Sequence, residues 1–248
     1  RETACRVAAG YIAKKLLDVQ GIKILAHLKA IGNVESTFIL DDSVSTNERV
    51  KKSPLFCAEK HVEVAMRSFL DQLMEEGDSI GGLVELKAWG LPVGLGDPVY
   101  EKLEANLAKA MMSLPASKGF EIGSGFSAVS MRGSEHNDFF VHDEGGNVKL
   151  ASNHSGGVLG GMSTSMPLIV RVAFKPTSSI KKPQSTLNRE GEEVIMTLDK
   201  GSRHDPCVAI RAVPIVEAMA ACVLADAMLM NLGKSIKDCI YLSRKVNK

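Results

Sequence analysis

Lys175-Pro176-Thr177-Ser178-Ser179 puts one cation and three hydroxyls into five consecutive residues. This mix suits a phosphate group: the lysine acts as a point charge, and hydroxyls and main-chain N–H groups act as neutral donors. A strand that ends in an ordinary Ser/Thr turn has the same composition, so the segment alone does not decide between the two. A second cluster, Arg203-His204-Asp205-Pro206, sets a guanidinium, an imidazole and a carboxylate side by side. An arginine fork holds phosphate or carboxylate through two parallel hydrogen bonds. Asp205 is placed to orient Arg203, to accept a proton, or to cap the turn before Pro206. His204 beside Asp205 is not part of a triad, because neighbouring side chains on extended chain point apart.

Two further stretches carry weaker signals. Gly156-Gly157-Val158-Leu159-Gly160-Gly161 is a double-glycine loop ahead of a strand, where backbone can approach a flat or charged ligand closely. It lacks the order strand, GxGxxG, helix, which excludes a dinucleotide fold. Gly133-Ser134-Glu135-His136-Asn137-Asp138 matches no zinc spacing and reads as a solvated loop.

The elements that must hold these groups follow from periodicity. After the Arg203–Pro206 cluster, Ile215, Val216, Met219, Cys222, Val223 and Ala227 form a helical stripe, with Pro214 suited to the first turn. The cluster thus sits on a loop that a buried helix keeps rigid. Upstream, Thr3 caps a helix to about Gln20, with Val7, Ala8, Tyr11, Ile12, Leu16 and Val19 on its apolar side and Gly21 as its stop. Ile22–Ile31 reads as a strand. Asn33–Ser53 reads as an irregular polar loop with one short strand near Phe38–Leu40. Cys57–Glu76 returns to helical spacing and stops at Gly77.

Ile80–Trp89 is a further strand and Val99–Leu114 a third helix. Phe120–Met131 reads as two short strands around Gly123-Ser124-Gly125. Ser134–Leu159 is a long polar loop whose length points to function or mobility. Pro167–Phe174 alternates cleanly, with Leu168, Val170, Val172 and Phe174 on one side. Ile180–Gly191 reads as a basic loop, Val194–Leu198 as a short strand, and the tail beyond Gly233 as an amphipathic end helix. Two-stranded blocks between helices favour an α+β layout over a parallel doubly wound sheet.

Composition narrows the class further. A net charge of +1 offers no global field for nucleic acid or an acidic membrane, and 45% hydrophobic with 24% charged residues is ordinary for a globular chain. No apolar run is expected to reach the roughly 18 residues of a membrane span. The five cysteines, Cys5, Cys57, Cys207, Cys222 and Cys239, lack a CxxC pair and read as reduced, partly buried thiols of a cytosol-like compartment.

Six blocks in order then carry a resemblance: RETACRVAAGYIAKKLL, GLGDPVYEKLEANLAKAMMSLPASKGFEIGSGF, GSEHND, SNHSGGVLGGMS, RVAFKPTSSI and RHDPCVAIRAVPIVEAMAACVLAD. Together they resemble the successive signature blocks of the chorismate synthase family, over nearly the whole chain. The resemblance implies a cytoplasmic lyase of the shikimate pathway of aromatic amino acid biosynthesis. It removes the 3-phosphate and a C6 hydrogen of 5-enolpyruvylshikimate 3-phosphate by 1,4-anti elimination. It implies reduced FMN as cofactor, a link to NADP chemistry, and a homotetramer, with neither nucleic acid nor membrane as partner. The implied fold is an α+β β-α-β sandwich, with antiparallel sheets packed around central long helices.

Carried over by position, the flavin contacts fall on Pro115 and Ala116, on Gly160, on Lys175, Pro176, Thr177, Ser178 and Ser179, and on Arg203. Asp205 is expected near the flavin ring with a catalytic role, and Arg1 and Arg203 are expected to touch substrate. Ser202 is an insertion in the family's Gly-Arg-His-Asp, and Pro115 and Ser165 replace a common Asn and Gly. The expectation is one core domain over residues 1–248, lacking the family's N-terminal third with its proton-transfer histidines and therefore inactive by itself. Two alternatives stand beside it: a non-catalytic phosphate- or nucleotide-binding module using Lys175 and Arg203, and a metal-dependent hydrolase built on His136, Asp138, His204 and Asp205.

Overall fold

A computed structural model describes residues 2–146, 148–199, 202 and 205–233. The helices are α1 (Glu2–Val19), α2 (Val44–Lys52), α3 (Lys60–Glu76), α4 (Leu103–Met112), α5 (Gly133–His136) and α6 (Ala209–Leu232). The strands are β1 (Lys23–Ile31), β2 (Val34–Glu35), β3 (Gly82–Trp89), β4 (Ser117–Ile122), β5 (Phe140–His142), β6 (Val148–Leu150), β7 (Val158–Leu159), β8 (Met162–Ser163), β9 (Leu168–Phe174), β10 (Gln184–Leu187) and β11 (Glu193–Met196). Five of them form an antiparallel sheet in the order β2-β1-β3-β9-β4, and the rest pair as the hairpins β5–β6, β7–β8 and β10–β11.

Strand alternation decides which side of the sheet is covered. Ile24, Ala26 and Leu28 of β1, Val84, Leu86 and Ala88 of β3, and Leu168, Val170, Val172 and Phe174 of β9 are buried in one core. Leu103, Leu107 and Met111 of α4 and Ala212, Val216, Ala220 and Leu224 of α6 close over them. This is the α+β architecture of antiparallel sheet against long helices, and the described residues contribute one large sheet to it. The other side of β3 and β9 carries Glu85, Lys87 and Arg171, so that face is polar.

The buried stripe of α6 differs from the one the sequence implies. The buried row is Ala209, Ala212, Val213, Val216, Ala220, Leu224 and Met228, whereas Ile215, Met219, Cys222, Val223 and Ala227 are only half-buried. The sequence stripe holds in part, since Val216 is buried and Ile215, Met219, Val223 and Ala227 pack partly buried against the core. The most buried row is rich in alanine because small residues let the helix approach closely, and periodicity weighted by side-chain bulk underweights them. Pro214 lies inside α6 rather than in its first turn, where it removes the N–H that would reach the Ile210 carbonyl. One 18-residue window of α6 has mean hydropathy 1.8, so by length and composition this helix could cross a bilayer, contrary to the expectation of no such run. In this fold its alanine row is core instead.

The first helix also presents a different face. Tyr11, Ile12 and Val19 are 64%, 71% and 79% exposed, while Gly10 and Leu17 are buried. A Cβ added at Gly10 would lie 2.3 Å from the Ala218 Cβ, so α1 crosses α6 at a point only glycine permits.

Four segments depart from the sequence expectation. Within Asn33–Ser53 the structure has β2 and α2, not a loop with a strand near Phe38. The α2 helix is set by its Ser43 cap, whose Oγ accepts from Thr46 N at 3.1 Å, and by basic residues in its last turn, not by an apolar stripe. After β4, Gly125–Ser130 is a 3-10 helix rather than a second strand. The 134–159 excursion contains β5 and β6, and Ile180–Gly191 contains β10. The tail beyond Gly233 lies outside the described residues.

Candidate functional site

One end of the sheet gathers the groups singled out in the sequence. Ser117 pairs with Phe174, and this register lets Lys175 N donate to the Ala116 carbonyl at 2.9 Å. Ala116 holds a φ of 66°, left-handed backbone that costs a non-glycine residue about 1 kcal/mol or more. The Pro115-Ala116 turn is thereby pressed against the end of β9. A Cβ at Gly81 would come within 2.6 Å of the Phe174 carbonyl, so only glycine lets β9 turn over the start of β3.

Beyond that turn, three segments are stitched together. Ser79 Oγ donates to the Thr177 carbonyl at 2.7 Å, Thr177 Oγ1 donates to the Asp205 carbonyl at 2.9 Å, and Ile80 N donates to the Pro206 carbonyl at 2.8 Å. Asp205 therefore sits beside Thr177 through its main chain. Its carboxylate pairs with Arg211 Nε at 2.8 Å, on the first turns of α6. Sequence reasoning missed Ser79 and Arg211. Ser79 lies in no motif and enters only through tertiary contacts, whereas Arg211 lies within the RHDPCVAIRAVPIVEAMAACVLAD block, six residues after Asp205, and was not singled out.

The resulting surface can hold an anion. Lys175, Ser178 and Ser179 are exposed, and no described side chain partners the Lys175 ammonium. The N–H groups of Thr177, Ser178 and Ser179 are taken by no described main-chain carbonyl. A free ammonium, two exposed hydroxyls and unspent N–H groups fit the phosphate of a flavin mononucleotide.

Not every expected contact meets there. Gly160 lies in the two-residue turn between β7 and β8, with Gly161 accepting from Leu103 N at 2.8 Å. Ile169 N donates to the Gly156 carbonyl at 3.1 Å, which fixes that hairpin at the start of β9. Lys175 follows the other end, roughly 20 Å away at about 3.3 Å per residue. Within this chain Gly160 and Lys175 do not share a pocket. Arg1 and Arg203 lie outside the described residues, as does His204.

Of the described residues of the metal reading, Asp138 and Asp205 sit toward opposite ends of β9. Asp138 accepts from Ser152 Oγ at 2.7 Å, His154 N at 2.8 Å and Ser155 N at 2.9 Å, far from Asp205. Burial opposes the charge, yet these donors outweigh it and hold the Asp138 carboxyl down at about 2. His136 and His154 bring their ring centroids to 5.6 Å. Among the described residues no group of three or more His, Cys, Asp and Glu side chains could hold a metal ion. Cys57 and Cys207 are buried, which pushes both thiols up, whereas Cys5 is exposed and Cys222 half-buried.

The polar face of the sheet was not anticipated. His27, Glu85, Arg171 and Glu121 stand in one cross-strand row, at 3.5 Å from His27 to Glu85, 3.5 Å from Glu85 to Arg171 and 3.2 Å from Arg171 to Glu121. Burial works against the Glu85 charge, but His27, Lys29 and Lys87 outweigh it and hold the carboxyl below its ordinary range. The only signal in the sequence is that charges recur at every second position of otherwise apolar strands.

Fold and site together define an α+β protein with an antiparallel sheet, central helices and an anion-ready loop cluster at one sheet end. The family model described as chorismate synthase matches residues 1–229, and the chain belongs to that family. Chorismate synthase of Protochlamydia amoebophila (strain UWE25) is 55% identical over 237 residues, 93% of this chain and 64% of the relative. That of Gloeothece citriformis (strain PCC 7424) is 51% identical over 235 residues, 94% of this chain and 64% of the relative. A crystal structure of a chorismate synthase superposes with a TM-score of 0.77 at 34% identity, covering 94% of this chain and 65% of that one. The chain thus spans slightly less than two thirds of the length of these relatives.

Proposed function

We propose that this chain is the C-terminal core of a chorismate synthase, a lyase that eliminates phosphate from 5-enolpyruvylshikimate 3-phosphate. The observation that carries this reading is the stitched end of the sheet, within a chain that belongs to the family. Ala116, Lys175 to Ser179 and Asp205 meet there and offer a cation, hydroxyls and N–H groups to a phosphate. The residues proposed to hold reduced FMN are Pro115, Ala116 and Lys175 through Ser179, joined by Arg203. When bound, the flavin supplies the transient electron that the elimination needs without net redox change. Arg1 and Arg203 are proposed to bind the anionic substrate.

The roles of the chain's own residues follow from their chemistry. Lys175 neutralises phosphate charge as a mobile ammonium. Thr177, tied to Asp205 and Ser79, fixes the loop so that the hydroxyls of Ser178 and Ser179 are presented outward. Asp205, held in place by Arg211, is the acidic side chain offered to the flavin edge. Gly160 enters this reading only if another copy or another part of the assembly brings it to the flavin. In keeping with that, the proposed assembly is a homotetramer, and the setting a cytoplasmic one.

The residues described contain no pair of histidines at the Lys175 cluster, so the chain by itself is expected to form no chorismate. Binding is the cleaner test. Quenching of FMN fluorescence should report micromolar affinity, weakened about tenfold or more by Lys175→Ala, the loss of one charge-assisted contact. Absence of any FMN binding, or binding indifferent to Lys175→Ala and Arg203→Ala, would remove this half-site assignment. Retention of FMN binding with no enolpyruvyl substrate binding in the full-length protein would favour a non-catalytic nucleotide-binding module.

A further inference from the structure

We propose that the polar face of the five-stranded sheet carries a second site, for a small oxyanion, on the side away from the helices. A cavity of about 350 Å³ opens there across β1, β3 and β9, with Lys29, Glu85, Lys87 and Arg171 as its floor. Its volume admits a phosphate or small carboxylate together with water. The site shares no residue with the Lys175 cluster.

The floor has more positive charge than its carboxylates consume. Arg171 is spent: it pairs with Glu121 at 3.2 Å and Glu85 at 3.5 Å, and donates to the Gly123 carbonyl at 2.5 Å. Glu85 is shared between Arg171 and His27. Two lysines remain. Lys87 is 8% exposed, and its described hydrogen bond goes to a neutral acceptor, the Leu40 carbonyl, at 3.3 Å. The Lys29 side chain is 14% exposed and lies 3.9 Å from Glu35, which is itself largely in solvent.

A buried ammonium without a carboxylate contact is costly unless another anion neutralises it. Burial, reinforced by the nearby Lys29 and Arg171, lowers the Lys87 pKa from its ordinary value against the pull of Glu85. An oxyanion between Lys29 and Lys87 would reverse that.

The opposite wall is held in place by its own hydrogen bonds. Asn153 lines the cavity, and its amide nitrogen donates to the Pro167 carbonyl at 2.7 Å, which fixes the orientation of the amide. Its Oδ1 is buried and accepts from no described donor. The matching chemistry is a small oxyanion, a phosphate or a carboxylate, whose charged oxygens face the two lysines.

The test is titration of the full chain at pH 7 and low salt with inorganic phosphate and, separately, with malate, by calorimetry or amide chemical shifts. Wild type and Lys175→Ala should bind at least one of the two anions, and which one identifies the phosphate or the carboxylate source. Lys29→Gln and Lys87→Met should each weaken that binding about tenfold or more. Lys29 is the less buried of the two lysines, so Lys29→Gln keeps the test decisive if Lys87→Met fails to fold. Binding of neither anion overturns the proposal. So does binding unchanged by Lys29→Gln, or binding lost in Lys175→Ala, which would place the anion at the Lys175 half-site.

Discussion

Glu217 offers the sharpest test of how this fold protects its sheet. Strand β2 pairs with the last residues of β1, so among the described residues most of that edge of β1 lacks a neighbouring strand. An open edge of unpaired N–H and carbonyl groups is a liability for folding and for aggregation. Here Glu217 of α6 reaches it: Oε2 accepts from Ala26 N at 2.8 Å, while Oε1 pairs with Lys14 of α1. Lys14 in turn lies 3.5 Å from the Ile24 carbonyl, and Leu28 N donates to the Phe56 carbonyl at 3.0 Å. One carboxylate thus joins two helices and a strand.

Glu217→Ala removes a charged acceptor from a partly buried N–H and leaves Lys14 half-buried without its partner. The unsatisfied N–H costs about 1–3 kcal/mol, and the exposed share of the ion pair adds little. A loss of about 2–3 kcal/mol is expected, or roughly 5–10 °C in the unfolding midpoint of a chain this size. Glu217→Gln keeps the acceptor for Ala26 N and loses only the ion pair, so it should cost about 1 kcal/mol or less. Urea unfolding followed by circular dichroism measures both. If alanine and glutamine cost the same, the bond to Ala26 contributes nothing and the edge-protection argument is wrong.

The remaining predictions concern the helix crossing and the clamp on the 134–159 excursion. Gly10→Ala places a methyl 2.3 Å from Ala218 Cβ, 2.5 Å from its Cα and 2.8 Å from its carbonyl oxygen, and should destabilise by about 3 kcal/mol or more. Because backbone atoms are struck too, Ala218→Gly should not rescue it; a fully rescued double variant would show that the helices separate easily. Asp138 has a folded pKa of about 2, below its ordinary value of 3.8, so its stabilisation is complete above about pH 4 and fades as pH falls toward 2. Allowing for solvent screening at this partly exposed group, about 1–2 kcal/mol is at stake. Asp138→Asn should remove that pH dependence and speed proteolysis between 133 and 155; an unchanged acid transition would show that other carboxylates govern it.

The sequence by itself determined the elements whose side chains alternate or repeat with bulk, and the family to which the chain belongs. Strand β9, with its four buried apolar residues, and α3, stopped by Gly77 in a left-handed cap, were legible because one residue face is apolar and the other is not. The anion-binding potential of Lys175 to Ser179 was legible because cation and hydroxyls are adjacent in the chain. Tertiary structure alone decided the rest. The buried side of α6 is its alanine row, since close packing selects small residues that bulk-weighted periodicity overlooks. Helix α2 is held by a serine cap with almost no apolar face to announce it. Ser79 and Thr177, and Glu217 and Ala26, are far apart in sequence and become partners only where strands, helices and loops converge. The gap between Gly160 and Lys175 is likewise set by the length of β9, which no local motif encodes.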